Sequence, residues 1–93
     1  MILSFTDAET ELVWSGRRSR RIPGDIQAVA LRKLRLLNQA RALADLRVPP
    51  GNRLEALHGN RAGQHSIRIN DQWRICFVWQ ENGASHVEIV DYH

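Results

Sequence analysis

Cysteine occurs once in this chain, as Cys76, so neither an intrachain disulfide nor a zinc site built on cysteine pairs is available. A domain of 93 residues without disulfides fits a reducing compartment, and a cytoplasmic location is expected. No apolar run approaches the roughly 20 residues that a membrane-spanning helix needs. The first seven residues have neither a basic segment nor a long apolar stretch, so no secretory leader is expected. The four histidines, His58, His65, His86 and His93, lack the two-histidine spacing of a zinc-binding helix, and no metal or other cofactor is expected. Serine-hydrolase, P-loop and dinucleotide-binding signatures are missing as well. Repeats and long linkers are also absent, and residues 1–93 read as one domain.

Lysine is almost as scarce. Lys33 is the sole example among 13 basic residues, and arginine supplies the other twelve, against 10 acidic side chains. Arginine keeps its proton at any physiological pH and offers a planar fork that grips phosphate with two hydrogen bonds. A small basic domain of this kind suits an anionic partner, most simply nucleic acid. GC-rich coding gives the same bias without any function, so composition alone leaves both readings open. Residues 16–21 concentrate four arginines, as a solvated loop or as a grip on RNA backbone.

Residues 2–5 are apolar and read as an edge strand or anchored terminus. Thr6 or Asp7 caps a first helix over residues 7–14, with Glu9 and Glu11 at its positive end, and Gly16 stops it. A second helix begins at Pro23-Gly24-Asp25 and is expected to reach residue 46, with Ile26, Val29, Ala30, Leu37, Ala40 and Ala44 on one face. Lys33 interrupts that face and is expected to lay its stem over the core. Pro49-Pro50-Gly51-Asn52 breaks the pattern, and the period then changes to two. Short strands are expected over 53–57, 64–69, 73–79 and 85–90, with turns at Asn70-Asp71 and Asn82-Gly83. The result is an α+β domain: an N-terminal strand and a helical hairpin packed on an antiparallel sheet of three to four strands. Trp73, Ile75, Phe77 and Trp79 share the core side. Arg68, Arg74 and Cys76 share the other side, with Tyr92 a further candidate for it, and that side is too polar for a second core.

Chemistry is sought on that polar face. Arg74 sits mid-strand, where a charge needs either a partner or a solvated groove. A structural ion pair with Asp91 or Glu88 and a role in anion binding are equally open. The terminal Asp91-Tyr92-His93 gathers a carboxylate, a phenol and an imidazole within three residues, although chain ends are commonly frayed. The glycine-bounded segment around His58 and Arg61 can admit a phosphate, or is a plain solvated loop. Cys76, between bulky neighbours, is expected to be an inert thiol.

The segments Pro49-Pro50-Gly51-Asn52-Arg53-Leu54-Glu55-Ala56-Leu57 and Gly59-Asn60-Arg61-Ala62-Gly63-Gln64, the run Asn70-Asp71-Gln72-Trp73-Arg74-Ile75 and the closing Asp91-Tyr92-His93 together resemble the HigB/GraT-type toxins of the RelE/ParE superfamily. The strong match covers the C-terminal half. The resemblance implies a RelE-like, microbial-ribonuclease-like fold and a ribosome-dependent mRNA endonuclease that cuts in the A site, restrained by a helix-turn-helix antitoxin (HigA/GraA-like) through which operator DNA is bound. It implies catalytic roles for Arg74, Asp91, Tyr92, His93 and His58, and RNA contacts for Arg61, Arg68, Asn70 and Arg53. Glu55 and His58 depart from relatives that carry His and Lys there; Glu55 cannot supply a cation but can act as a base. Two other classes compete. One is a ParE-like, non-enzymatic gyrase poison on the same fold, which would need no acid–base cluster. The other is a catalytically dead module that binds RNA or antitoxin.

Overall fold

A computed structural model describes residues 1–92. Helices α1 (Ala8–Trp14) and α2 (Gly24–Gln39) precede four strands, β1 (Glu55–Ala56), β2 (His65–Arg68), β3 (Trp73–Gln80) and β4 (Gly83–Asp91). The strands form one antiparallel sheet in the order β1-β2-β3-β4. Residues 2–5 run parallel to β4 through two isolated bridges, Ile2 to Ala84 and Phe5 to Val87, and so anchor the terminus beside the sheet without forming a regular strand.

Asp7 caps α1, its carboxylate accepting the Thr10 N–H at 2.7 Å. Gly16, at φ 78°, closes the helix by the left-handed route: Arg17 N–H reaches the Leu12 carbonyl at 2.9 Å and Gly16 N–H the Val13 carbonyl at 3.0 Å. The arginine-rich connection is built around buried Ser19. Its hydroxyl donates to Glu9 at 2.7 Å and accepts the N–H groups of Arg21 and Ile22, while Gln27 donates to the carbonyls of Ser19 and Ile22. Arg17, Arg18, Arg20 and Arg21 are left exposed around this anchor.

The second helix stops at Gln39, seven residues before the expected end. The Asp45 carboxylate accepts the backbone N–H groups of Arg41 at 3.0 Å and Ala42 at 3.1 Å, which turns the chain into a 3-10 segment at Leu43–Arg47. Those two bonds hold the Asp45 carboxyl below its ordinary range. Ala44 is therefore exposed rather than buried, while Leu34, outside the expected face, is fully buried. Lys33 extends to Asn52 Oδ1, and buried Asn52 donates to the carbonyls of Leu46 and Val48. Burial first, then the charges of Arg32 and Arg68, push the Lys33 ammonium pKa down.

Both helices cover the same sheet face. Ala30, Leu34 and Leu37 of α2 pack with Ile67, Ile75, Phe77 and Val87 of the sheet. Between the pairs Cys76–Glu88 and Val78–Ser85, β3 advances two residues and β4 three, so β4 carries a bulge. His86, at φ 53°, is the extra residue, and it lets Ala84 and Val87 both face the core. The hairpin turn falls on residues 81–82, and Gly83 begins β4. Glycine is required there because a Cβ would lie 2.0 Å from the Met1 carbonyl oxygen at φ +144°. Farther along, the buried Thr10 hydroxyl accepts the Ile89 N–H at 3.0 Å, tying α1 to β4.

That last bond gives a test of the fold. Replacing Thr10 by isosteric Val leaves a buried N–H without its acceptor, and should lower stability by about 1–3 kcal/mol. The measurement is urea unfolding, with a lower midpoint at unchanged slope as the expected outcome.

Candidate active site on the open sheet face

Strand alternation sends Ser66, Arg68, Arg74, Cys76, Glu88 and Val90 to the face that the helices leave uncovered. The register aligns Glu55, Ser66, Cys76 and Glu88 in one row across all four strands, and Arg68, Arg74 and Val90 in the next. Ser66 and Cys76 are nevertheless fully buried. The long arginine side chains lie beside them, Arg74 bonding Ser66 and both Arg61 and Arg74 acting on Cys76, with the guanidinium groups only partly exposed.

Arg74 is the centre of this face. Its Nη1 donates to Ser66 Oγ at 2.7 Å and to the Arg53 carbonyl at 3.4 Å, and its Nη2 donates to Glu55 Oε1 at 3.1 Å. The guanidinium carbon lies 5.7 Å from the centre of the Tyr92 ring. The ion-pair partner is thus Glu55, rather than the Asp91 or Glu88 considered from sequence. The Arg74 side chain is 12% exposed and that of Glu55 51%. An ion pair this wet on its acidic side contributes about 0–1 kcal/mol.

Glu88 instead serves Arg61, whose Nη1 donates to Glu88 Oε1 at 2.7 Å and to Gln64 Oε1 at 3.0 Å. The bond to Glu88 tightens the hold of Arg61 on its proton. Arg68 pairs with Asp71. Three of the four arginines expected to meet RNA or phosphate therefore hold carboxylates in the free protein.

Arg53 is exposed in a left-handed backbone conformation, φ 45°, with its carbonyl turned to Arg74. His58 is exposed at the start of the 3-10 turn Gly59–Arg61. Asn70 uses its side-chain oxygen in the β2–β3 turn, accepting the N–H groups of Gln72 at 2.9 Å and Trp73 at 2.7 Å. Asp91 ends β4 opposite Trp73 and accepts from Gln72 Nε2 at 3.2 Å, in a different row from Arg74. It also lines a cleft of about 250 Å³ with Arg61, Glu88 and Arg21. His93 lies outside the described residues. The structure therefore gathers Arg74 and Tyr92, with Arg61 electrostatically linked to Tyr92. Glu55, a weak candidate in the sequence, and Ser66, not singled out there, join them. The parity of Ser66 with Arg68 and Arg74 was a usable signal, but nothing local shows which strand Glu55 pairs with.

Among the described residues no group of three or more His, Cys, Asp or Glu is placed to hold a metal ion, and no helix is long and apolar enough to cross a membrane.

This architecture agrees with the sequence relationships of the chain. Residues 3–93 match the family described as RelE-like toxin of type II toxin–antitoxin system HigB. The chain is similar to Toxin HigB-1 of Vibrio cholerae serotype O1, with 45% identity over 85 residues that cover 90% of each protein. It also resembles an uncharacterized protein of Haemophilus influenzae, 32% identical over 72 residues, or 77% of this chain and 71% of that one. The chain belongs to the HigB-like toxins of the type II toxin–antitoxin systems. Its fold is the RelE-like one, and an antitoxin is its partner.

Cys76 lies beneath the arginines. Burial pushes its thiol pKa up and Glu88 adds to this, while Arg61 and Arg74 act in the opposite sense. A thiol whose pKa is raised by folding stabilises the fold fully below its ordinary value of 9.0, and that contribution is lost as pH rises above it. A thiol reagent at pH 7 should therefore react slowly with the folded protein and rapidly in urea. Stability measured by urea unfolding should decline above pH 9.0, and less so in Cys76→Ala.

Proposed function

We propose that the protein is a ribosome-dependent mRNA endonuclease that cleaves message in the A site by attack of the ribose 2′-hydroxyl, without a metal. The observation that carries this reading is the Arg74 guanidinium, fixed by Ser66 on the uncovered sheet face with the Tyr92 ring against it. Cleavage of RNA by its own 2′-hydroxyl needs a base for the hydroxyl proton, cations on the crowded phosphate and an acid for the leaving oxygen. Arg74 supplies a permanent, bidentate cation. Arg61 and Arg68 add phosphate contacts once RNA displaces Glu88 and Asp71, and Arg53 and Asn70 border the same face. His58 and His93 are the acid–base candidates. Asp91 orients or charges its neighbours at the strand end. Tyr92 stacks on a base, which single-stranded RNA presents readily.

The proposed setting is the cytoplasm, with translating ribosomes and their message as the target. The proposed restraint is a helix-turn-helix, HigA/GraA-like antitoxin that also carries the complex to operator DNA. The ribosome positions the message, so modest chemistry by the protein itself suffices.

Primer extension of mRNA on translating ribosomes tests the reading. The wild-type protein should produce discrete A-site cuts. Arg74→Ala should lower the cutting rate by about 10²–10³-fold, the loss typical of removing one transition-state charge donor. His93→Ala should slow it as well. Intact message with the wild-type protein would sink the proposal, and inhibition of DNA supercoiling at stoichiometric protein would favour the gyrase-poison alternative.

A further inference from the structure

A second network reaches Arg74 from α2, and the task inferred for it rests on the endonuclease reading. It begins at Lys33, whose ammonium donates to Asn52 Oδ1. Asn52 is fully buried, and its Nδ2 donates to the carbonyls of Leu46 and Val48, each at 3.2 Å. Its own backbone N–H reaches the Pro49 carbonyl at 2.9 Å. The strap over residues 46–52 is thus folded around this one side chain. The next residue, Arg53, is held in the left-handed region at φ 45° and ψ 57°, which a residue with a Cβ enters at a cost. In that conformation its carbonyl accepts Arg74 Nη1 at 3.4 Å.

Strand β1 depends on the same strap. It has two residues, Glu55 and Ala56, too few to fix their own position. One end is tied by the Leu57 N–H, which donates to the Gln64 carbonyl at 2.9 Å. The other end follows directly on Asn52 and Arg53, and it carries Glu55, whose carboxylate takes Arg74 Nη2 at 3.1 Å. Of the three acceptors that the Arg74 guanidinium holds, two therefore stand on the segment that Asn52 anchors, and only Ser66 belongs to the sheet interior. A lysine completes that anchor against resistance. Burial and the charges of Arg32 and Arg68 oppose its charge, and among the described residues no carboxylate pairs with it. An apolar side chain of similar length would avoid that penalty, so the bond to Asn52 is what a lysine adds here.

We propose that Lys33 is a positioning residue for the cleavage, acting through Asn52 and the Arg53 carbonyl to fix the guanidinium of Arg74. It touches neither the message nor the reacting atoms. With Lys33 in place, both Nη atoms have partners and the fork has one orientation before substrate arrives, which favours bidentate capture of a phosphate. Without it, Asn52 Oδ1 is left buried with no donor, the strap loosens, and Arg53 is free to leave the left-handed region. Its carbonyl then moves off Nη1, and Ser66 remains as the only fixed partner of Arg74. The loss falls on the chemical step. A misplaced guanidinium still attracts RNA, but it no longer meets the charge that develops on the phosphate oxygens.

The test is single-turnover cleavage of mRNA on saturating programmed ribosomes by wild type, Lys33→Met, Lys33→Arg and Ile26→Ala. Ribosome affinity, thermal unfolding and the side-chain N–H nuclear magnetic resonance signal of Arg74 are recorded for each. Lys33→Met keeps the stem and removes the donors. It should cut up to about 10²-fold more slowly at saturation, bind ribosomes as tightly as wild type, and shift the Arg74 signal. Lys33→Arg keeps a charged donor and should recover part of the rate. Ile26→Ala truncates the core about two turns away on α2. It should lower the unfolding temperature yet keep the wild-type rate and the wild-type Arg74 signal, which separates positioning from loss of stability. In an Arg74→Ala background, Lys33→Met should slow cleavage no further, because its effect passes through Arg74. An undiminished rate in folded Lys33→Met, or the same loss again on top of Arg74→Ala, overturns the role of Lys33 alone. Should Lys33→Met not fold, Lys33→Gln, shorter and uncharged, is read in the same way. Absence of cleavage by the wild-type protein overturns the endonuclease reading. The Arg74 signal then decides separately whether Lys33 fixes the guanidinium, and an unmoved signal overturns that as well.

Discussion

A chain of 93 residues has enough helix to cover one face of its sheet and not the other. That shortage governs the rest of the molecule. The covered face can be apolar, and Ile67, Ile75, Phe77 and Val87 fill it. The uncovered face must meet water without exposing Ser66 and Cys76, both of which are fully buried there. Arginine resolves the conflict, because its stem is apolar and its head is charged. Arg74 and Arg61 act as the second layer that the helices do not provide. Residues proposed to handle phosphate are thus also the residues that close the sheet. Their carboxylate partners, Glu55 and Glu88, satisfy guanidinium groups brought close to the interior, where an unpaired charge is costly.

The position of the site along the sheet depends on β4. One edge of this strand pairs with β3 along its length; the other is paired with residues 2–5 only as far as Val87. Beyond that point Thr10 takes the Ile89 N–H, so α1 stands where another strand would continue. The His86 bulge adjusts the strand so that both parts of it present apolar residues to the core. Past the end of the N-terminal pairing the strand edge opens, and the cleft shared by Arg61, Glu88, Asp91 and Arg21 lies there. The closing Asp91-Tyr92 segment is held at that end by Gln72, through the Asp91 side chain and the Tyr92 N–H.

The sequence was most readable where one local rule acted alone. The parity of Trp73, Ile75, Phe77 and Trp79 identified the covered face, and Asp7 followed by Glu9 and Glu11 located the start of α1. Reading failed where a distant or competing partner decided the outcome. Residues 40–46 have good helical composition, but Asp45 captures two backbone N–H groups and ends α2 early. Gly83 signalled a hairpin, yet the approach of the Met1 carbonyl is what demands glycine. Ser19, in the middle of an arginine run, gave no hint that it is the buried anchor of that loop. The polar face and the family were both legible, the second through the Asn70–Ile75 run and the terminal Asp-Tyr-His. The partner of Arg74 was not: Glu55 is 19 residues away, and the register of a two-residue strand cannot be inferred from alternation.

The same pairings alter what the net charge of +3 means. On the sheet face Arg61, Arg68 and Arg74 each hold a carboxylate, so most of their charge is locally cancelled. Arg53 is exposed beside the sheet face, and much of the exposed cationic surface lies instead on the helical side. Arg17, Arg18, Arg20 and Arg21 surround Ser19 there, and Arg32 and Arg35 lie on the outer face of α2. Long-range attraction to a polyanion follows uncompensated charge, and it decays within about 8–10 Å at physiological salt. Contact chemistry follows the geometry of individual groups. In this domain exposed charge and fixed guanidinium geometry belong largely to different arginines. The loop and helix carry exposed arginines that extend into solvent. The sheet face carries guanidinium forks whose charge is offset by carboxylate partners, so its share of the long-range field is small beside theirs.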